Sequence, residues 1–242
     1  MTDPFAHHPR LRDLITPPGK SKMRDITTAQ LKSRLIGLGI DPKWLYPDDQ
    51  REAMRRDRLS QHYGDLWVFA YGSLIWDPAF HFIDVRRAHV SNHARRFILR
   101  DDKGSRGDTT QPGLMAALDR CPAGDPGCDG LAFRIAAADV DAETSILWQR
   151  EMIGPAYHAE FVTAQINDGA VQALTFVADH AAQMIDAGIT RSEQVRNFAK
   201  ATGFFGTSYD YLANLAHRFD TLGIYDPHIT DLLAEVDAFR AA

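Results

Sequence analysis

Cysteine is scarce in this chain of 242 residues: only Cys121 and Cys128 occur, on either side of Pro122-Ala123-Gly124-Asp125-Pro126-Gly127. Two thiols do not make a disulfide framework, and a zinc site would need a further ligand that this turn lacks. They are read as free thiols without a role. No apolar run approaches the roughly 20 residues that a membrane helix needs, and Met1-Thr2-Asp3-Pro4 does not read as a signal peptide. A net charge of −5 gives no excess of positive charge for binding nucleic acid or an anionic membrane. A cytoplasmic location is expected, with no nucleic-acid and no membrane partner. The histidines form no grouping with Ser or Cys that supports a catalytic triad, and His7-His8 reads as a mobile terminal pair.

What the chain does have is apolar bulk. At 45% hydrophobic it can bury the core of one domain and carry an N-terminal extension. Residues 1–62 form that extension: Pro4, Pro9, Pro17, Pro18 and Gly19 break up its start. A helix is expected over 25–38, capped by Thr27 or Thr28, with Leu31, Leu35 and Leu38 on one face. Residues 51–59, rich in Arg, read as a solvated helix or arm. The extension packs on the domain or on a second subunit; the residues do not say which, and they leave the oligomeric state open.

From Leu66 onward, over a domain spanning 63–242, short apolar runs alternate with turns. Strands are expected at 66–70, 89–99, 113–118, 131–135, 157–166 and 172–177, with Asn167-Asp168-Gly169 as a hairpin turn. Helices are expected at 140–152, 192–201, 208–222 and 227–239. Mostly antiparallel strands with interspersed helices make the fold class α+β.

The most informative stretch is Leu66-Trp67-Val68-Phe69-Ala70-Tyr71-Gly72-Ser73-Leu74-Ile75-Trp76. A buried strand breaks at Tyr71-Gly72-Ser73, where the chain bulges or where backbone N–H groups turn toward a ligand oxygen. Farther on, Glu151 ends the helix that begins at Val140. The negative end of the helix dipole and its neighbours Leu147, Trp148 and Met152 favour a raised pKa, as suits a general base. The alternative is a solvent-facing glutamate paired with Arg150 or Lys200. Arg106 is either a carboxylate holder or a loop arginine in water. Tyr211 either contacts a ligand or packs in the core. Arg95-Arg96-Phe97 reads as structural.

Taken together, six blocks resemble the ChaC-like branch of the γ-glutamylcyclotransferases, in order and at similar spacing. They are Val68-Phe69-Ala70-Tyr71-Gly72-Ser73-Leu74-Ile75-Trp76, Arg95-Arg96-Phe97, and Gly104-Ser105-Arg106-Gly107 with Pro112-Gly113-Leu114. Next come Gly130-Leu131-Ala132-Phe133-Arg134-Ile135 and Trp148-Gln149-Arg150-Glu151-Met152 with Tyr157. The last is Tyr209-Asp210-Tyr211-Leu212-Ala213-Asn214-Leu215-Ala216. The resemblance implies a mixed, barrel-like sheet with peripheral helices and a cofactor-independent enzyme without a metal. It implies Glu151 as the catalytic general base and acid, and Tyr71, Gly72, Ser73, Leu74, Arg106, Tyr157 and Tyr211 at the substrate. Leu114 stands where relatives often carry a second arginine, so no carboxylate contact is expected from that position. The implied reaction closes a γ-glutamyl group to 5-oxoproline, with glutathione or a related γ-glutamyl peptide as the small-molecule substrate. Rival readings are another γ-glutamyl donor, or a non-catalytic module binding a ligand or partner.

Overall fold

The computed structural model describes residues 3–122 and 124–242. Ala123, in the turn between the two cysteines, and the first two residues of the N-terminus lie outside the described residues. Seven strands form the main sheet: β1 (Leu66–Ala70), β2 (Asp84–Val90), β3 (His93–Asp101), β4 (Gly113–Arg120), β5 (Cys128–Ile135), β6 (Tyr157–Ile166) and β7 (Gly169–Ala178). Their order is β1-β5-β2-β6-β7-β4-β3, and β1 also pairs in parallel with β7 through Trp67↔Ala173 and Val68↔Leu174. That pairing closes β1, β5, β2, β6 and β7 into a five-stranded barrel, and β4 and β3 continue from β7 as a ledge. Closure removes the open edges that a flat sheet would expose. β1 is buried on both faces because barrel side chains fill one and helices cover the other, which explains its unbroken apolar composition.

Around the barrel lie α1 (Thr28–Gly37), α2 (Asp48–Leu59), α3 (Val140–Glu151), α4 (Arg191–Lys200), α5 (Ser208–Leu222) and α6 (Pro227–Ala241), with a two-residue ribbon, β8 (Thr202–Gly203) and β9 (Gly206–Thr207), before α5. Local chemistry sets their starts. Thr27 and Thr190 form capping boxes with Gln30 and Glu193, and Asp226 caps α6 ahead of Pro227. The core joins Phe69, Phe80, Phe133 and Phe176 of the barrel region to Trp148 of α3 and Tyr211 of α5, all fully buried.

The expected elements recur with three differences. The strand expected over 89–99 is two strands, because Ser91-Asn92 turns the chain between β2 and β3, with Asn92 in the left-handed region at φ 58°. Leu38 lies beyond α1 and is exposed rather than on its buried face. The arginine-rich helix α2 is not simply solvated. Arg55 is buried and donates to Glu52 Oε1 at 2.6 Å, Asp141 Oδ1 at 2.7 Å and Thr144 Oγ1 at 2.8 Å, pinning α2 to α3.

Residues 3–62 pack on the barrel. Leu11 and Ile15 join the main core, and Thr16 N–H donates to Trp76 O at 2.8 Å. Arg24 makes a two-pronged pair with the buried Glu143 of α3, at 2.6 and 2.9 Å, and also donates to Ala79 O at 2.8 Å. Tyr46 N–H donates to Ile153 O at 2.8 Å. Trp44 crosses Gly154 so closely that a Cβ there would lie 2.6 Å from its ring.

Candidate active site

β1 delivers the chain into the break read from the sequence. After Ala70, Tyr71 and Gly72 lead into a single 3-10 turn over Ser73–Ile75. The turn satisfies the N–H groups of Ile75 and Trp76 on the carbonyls of Gly72 and Ser73. The N–H groups of Gly72, Ser73 and Leu74 meet no protein acceptor among the described residues, as expected for the start of a helical turn. Three successive free donors in one bend make a cradle for a negatively charged oxygen. Arg95 fixes the bend from behind: its Nε donates to Tyr71 O at 2.7 Å, and Phe219 lies under its guanidinium. The structural reading of the Arg95 segment fits this position.

Glu151 closes α3 opposite this bend. Arg150 joins the two. Its Nε donates to Glu151 Oε1 at 2.9 Å, its Nη2 to Ser73 Oγ at 2.8 Å, and its Nη1 to Asp77 O. Glu151 therefore does pair with Arg150, as its alternative reading held, yet it faces a cavity with its side chain only 15% exposed. Burial pushes its pKa up, Arg150 opposes the shift, and the Asp77 carboxylate adds to it. Of the two causes that the sequence suggested, the helix dipole and the apolar neighbours, burial is the one that dominates.

Three tyrosines surround the carboxylate. Tyr71 donates to Phe176 O at 2.7 Å, Tyr157 approaches Ala116 O at 3.5 Å, and Tyr211 accepts from Ala116 N–H at 3.0 Å. Burial raises all three pKa values, so the hydroxyls stay protonated and serve as donors. A Cβ on Gly72 would lie 3.1 Å from the Tyr211 hydroxyl, so a side chain there would crowd that group. Arg106 donates to Thr207 O at 3.1 Å and lies 5.2 Å from the Tyr211 ring centre, with no carboxylate partner among the described residues. Burial lowers its pKa. A desolvated guanidinium without a counter-ion is prepared to take a carboxylate from a ligand.

All eight residues singled out from the sequence, Tyr71, Gly72, Ser73, Leu74, Arg106, Glu151, Tyr157 and Tyr211, line one cavity of about 500 Å³. That size suits a small molecule. Sequence reasoning missed Arg150 as the link, Asp77 beside it, and the wall made by Thr16 and by Lys20 to Met23 with Leu31, Leu35 and Trp44. Arg150 was visible only as half of an Arg-Glu pair; the wall carried no local signal. Leu114, the departure from the family pattern, is fully buried and takes no part in the cavity. Among the described residues no three His, Cys, Asp or Glu side chains stand together as metal ligands, and no helix is long and apolar enough to cross a membrane.

A buried carboxylate, three N–H groups without a protein acceptor and a guanidinium without a carboxylate partner thus line one cavity. The protein family described as ChaC-like protein matches residues 66–239, and this chain belongs to it. It is 32% identical over 206 residues to the glutathione-specific γ-glutamylcyclotransferase of Escherichia coli, covering 84% of this chain and 87% of that one. It is 30% identical over 190 residues to the enzyme of the same name from Schizosaccharomyces pombe, covering 72% and 93%. The crystal structure of a γ-glutamyl cyclotransferase specific to glutathione from yeast shares the fold, with a TM-score of 0.66 at 21% identity, over 73% of this chain and 97% of that chain.

Proposed function

We propose that this protein is a cytoplasmic, glutathione-directed γ-glutamylcyclotransferase that releases 5-oxoproline and cysteinylglycine. The observation that carries this reading is the Arg150 bridge, which sets a carboxylate of raised pKa against the free N–H groups of the Gly72 bend.

A γ-glutamyl compound holds both reactants: the α-amino nitrogen and the γ-amide carbon. The protein's first task is to fold this flexible molecule into the attacking shape, and enforced proximity accounts for much of the barrier. Arg106 takes the α-carboxylate and the tyrosines line the bend of the chain. The amine, having lost its ammonium proton, attacks the γ-carbon. Glu151 accepts one of the amine's two N–H protons as the new C–N bond forms, and the other stays on the ring nitrogen. The γ-oxygen becomes an oxyanion in front of the N–H groups of Gly72, Ser73 and Leu74. Glu151 then passes its proton to the leaving nitrogen as the old C–N bond breaks, and the carbonyl re-forms. One carboxylate serves as base and then as acid.

A binding module would have no use for a desolvated carboxylate of raised pKa beside free oxyanion donors, so the enzymatic reading is favoured over that rival. The test is direct. Purified protein is incubated with glutathione, γ-glutamylcysteine and γ-glutamylalanine, and products are followed by mass. Release of 5-oxoproline with cysteinylglycine, faster from glutathione than from either dipeptide, is expected. No 5-oxoproline from any of them would end the cyclotransferase reading, and a preference for a dipeptide would reassign the donor.

A further inference from the structure

The catalytic end occupies only part of the cavity. Part of the rest is walled by Thr16 and by Lys20 to Met23 of the N-terminal segment, which lies outside the matched family span. This segment is held at both ends. Thr16 N–H is bonded to Trp76 O, and Arg24 is locked on Glu143. Between these anchors, Pro17 and Pro18 restrict the backbone, and a 3-10 turn over Pro18–Lys20 follows. Ser21 is buried and accepts from Met23 N–H at 3.2 Å. Lys20 and Lys22 flank it, exposed and lining the cavity.

Charge accounting within the cavity gives these lysines a task. Arg150 is matched by Glu151 and Asp77, and Lys103 by Asp102 at 2.9 Å. Asp101 is occupied by Ser105 Oγ and by the N–H groups of Lys103 and Arg106. Arg106, Lys20 and Lys22 have no carboxylate partner among the described residues. The cavity thus offers unpaired positive charge in two places: Arg106 beside Tyr211, and the lysine pair on the N-terminal segment. A ligand with one carboxylate leaves one place unused; a γ-glutamyl peptide has a carboxylate at each end.

We propose that Lys20 and Lys22 are specificity-determining residues that bind the C-terminal carboxylate of the leaving peptide, so that the N-terminal segment selects γ-glutamyl peptides over γ-glutamylamines. The assignment rests on the cyclotransferase reading for the orientation of the substrate, with the γ-glutamyl end at Glu151. Both lysines are exposed, so each contact is of moderate strength and weakens with salt.

The test compares the binding of glutathione with that of glutathione amidated at its glycine carboxylate, by titration calorimetry on full-length Glu151→Gln protein, which keeps the ligands intact. The parent is expected to bind the acid about five-fold more tightly than the amide at low salt, with the ratio shrinking as salt is added. Lys20→Ala/Lys22→Ala should bring the ratio to about one with an unchanged Tm, and Lys20→Arg/Lys22→Arg should restore it. A parent ratio of one, or a ratio that the alanine pair leaves unchanged, overturns the proposal. If neither ligand binds the parent, the proposal also falls. A ratio that responds to the lysines in a protein whose wild type makes no 5-oxoproline would uphold the lysine contact and fault only the cyclotransferase reading.

Discussion

The two sides of the cavity are held in opposite ways. On the barrel side, the charge around Glu151 is tied down, Arg106 being the exception: Arg150 is spent on Glu151, Ser73 and Asp77, and Arg95 on the carbonyl of Tyr71 and on Asp226. On the N-terminal side the backbone is anchored while Lys20 and Lys22 remain unpaired. Only the barrel side falls within the family span. The difference separates two tasks. Groups around a reacting carbon stabilise charge that exists only in the transition state, so they must be in place beforehand. Groups that read the far end of a ligand contribute to affinity and tolerate solvent.

The sharpest way to break this division is at Glu151. Glu151→Gln should lower kcat for glutathione by about 10²–10⁴-fold, because an amide cannot take the proton. Stability should move the other way or not at all. The folded protein binds the Glu151 proton more tightly than the unfolded chain, so ionisation at neutral pH costs stability, and the neutral amide avoids that cost. Melting curves at pH 7 beside turnover assays check both halves. A variant retaining more than a tenth of wild-type turnover would remove Glu151 as the base. The same raised pKa places the acid limb of the wild-type kcat/KM profile above the ordinary glutamate range, with activity growing as pH rises through it.

Next in size comes Arg24→Ala, which releases the N-terminal segment and leaves Glu143 buried without its partner. The loss is expected to be on the order of 3 kcal/mol, with weaker glutathione binding. Burial alone would raise the Glu143 pKa; the paired Arg24 and the His81 N–H more than offset it, and the net shift is downward. A depressed carboxylate gives stability above its unfolded pKa that fades as pH falls through the folded value. The gap in Tm between wild type and Arg24→Ala should therefore narrow below the ordinary carboxylate range. A gap that stays constant as the pH falls below that range would mean that the ion pair is not what holds the segment.

Ser73→Ala should have the smallest effect. It removes the acceptor for Arg150 Nη2 but keeps the Ser73 N–H and the other two Arg150 contacts. One charge-assisted hydrogen bond contributes roughly 1–2 kcal/mol, so kcat should fall by about ten-fold or less. A collapse comparable to that of Glu151→Gln would give the hydroxyl a direct part in the reaction.

Much of this arrangement was legible in the sequence where local chemistry decides. α5 begins after the cap Thr207 and ends before Gly223, and the 157–166 strand ends at an Asn-Asp-Gly turn. The eight cavity residues were found through family blocks, all but Tyr157 within contiguous runs. The misses are non-local. β2 carries Arg86 and Arg87 on a strand that alternation alone did not mark, because Asp84 and Asp168 pair with Arg86 and Leu222 O accepts from Arg87. The N-terminal wall depends on Arg24 meeting Glu143, 119 residues away. Nothing in the local pattern of residues 16–24 announces that contact.

The closure of the barrel has a consequence in time as well as in shape. The bend at Gly72 is held by partners far along the chain: Tyr71 bonds to Phe176 across 105 residues, and Thr175 to Phe69 across 106. Contacts so distant in sequence must meet the entropy of closing long loops before they are rewarded, which makes folding slow. On the ribosome, β1 emerges early and waits for β7. The bend at Gly72 therefore gains these partners only once β7 has been made, and a chain that stops before Thr175 holds neither of them.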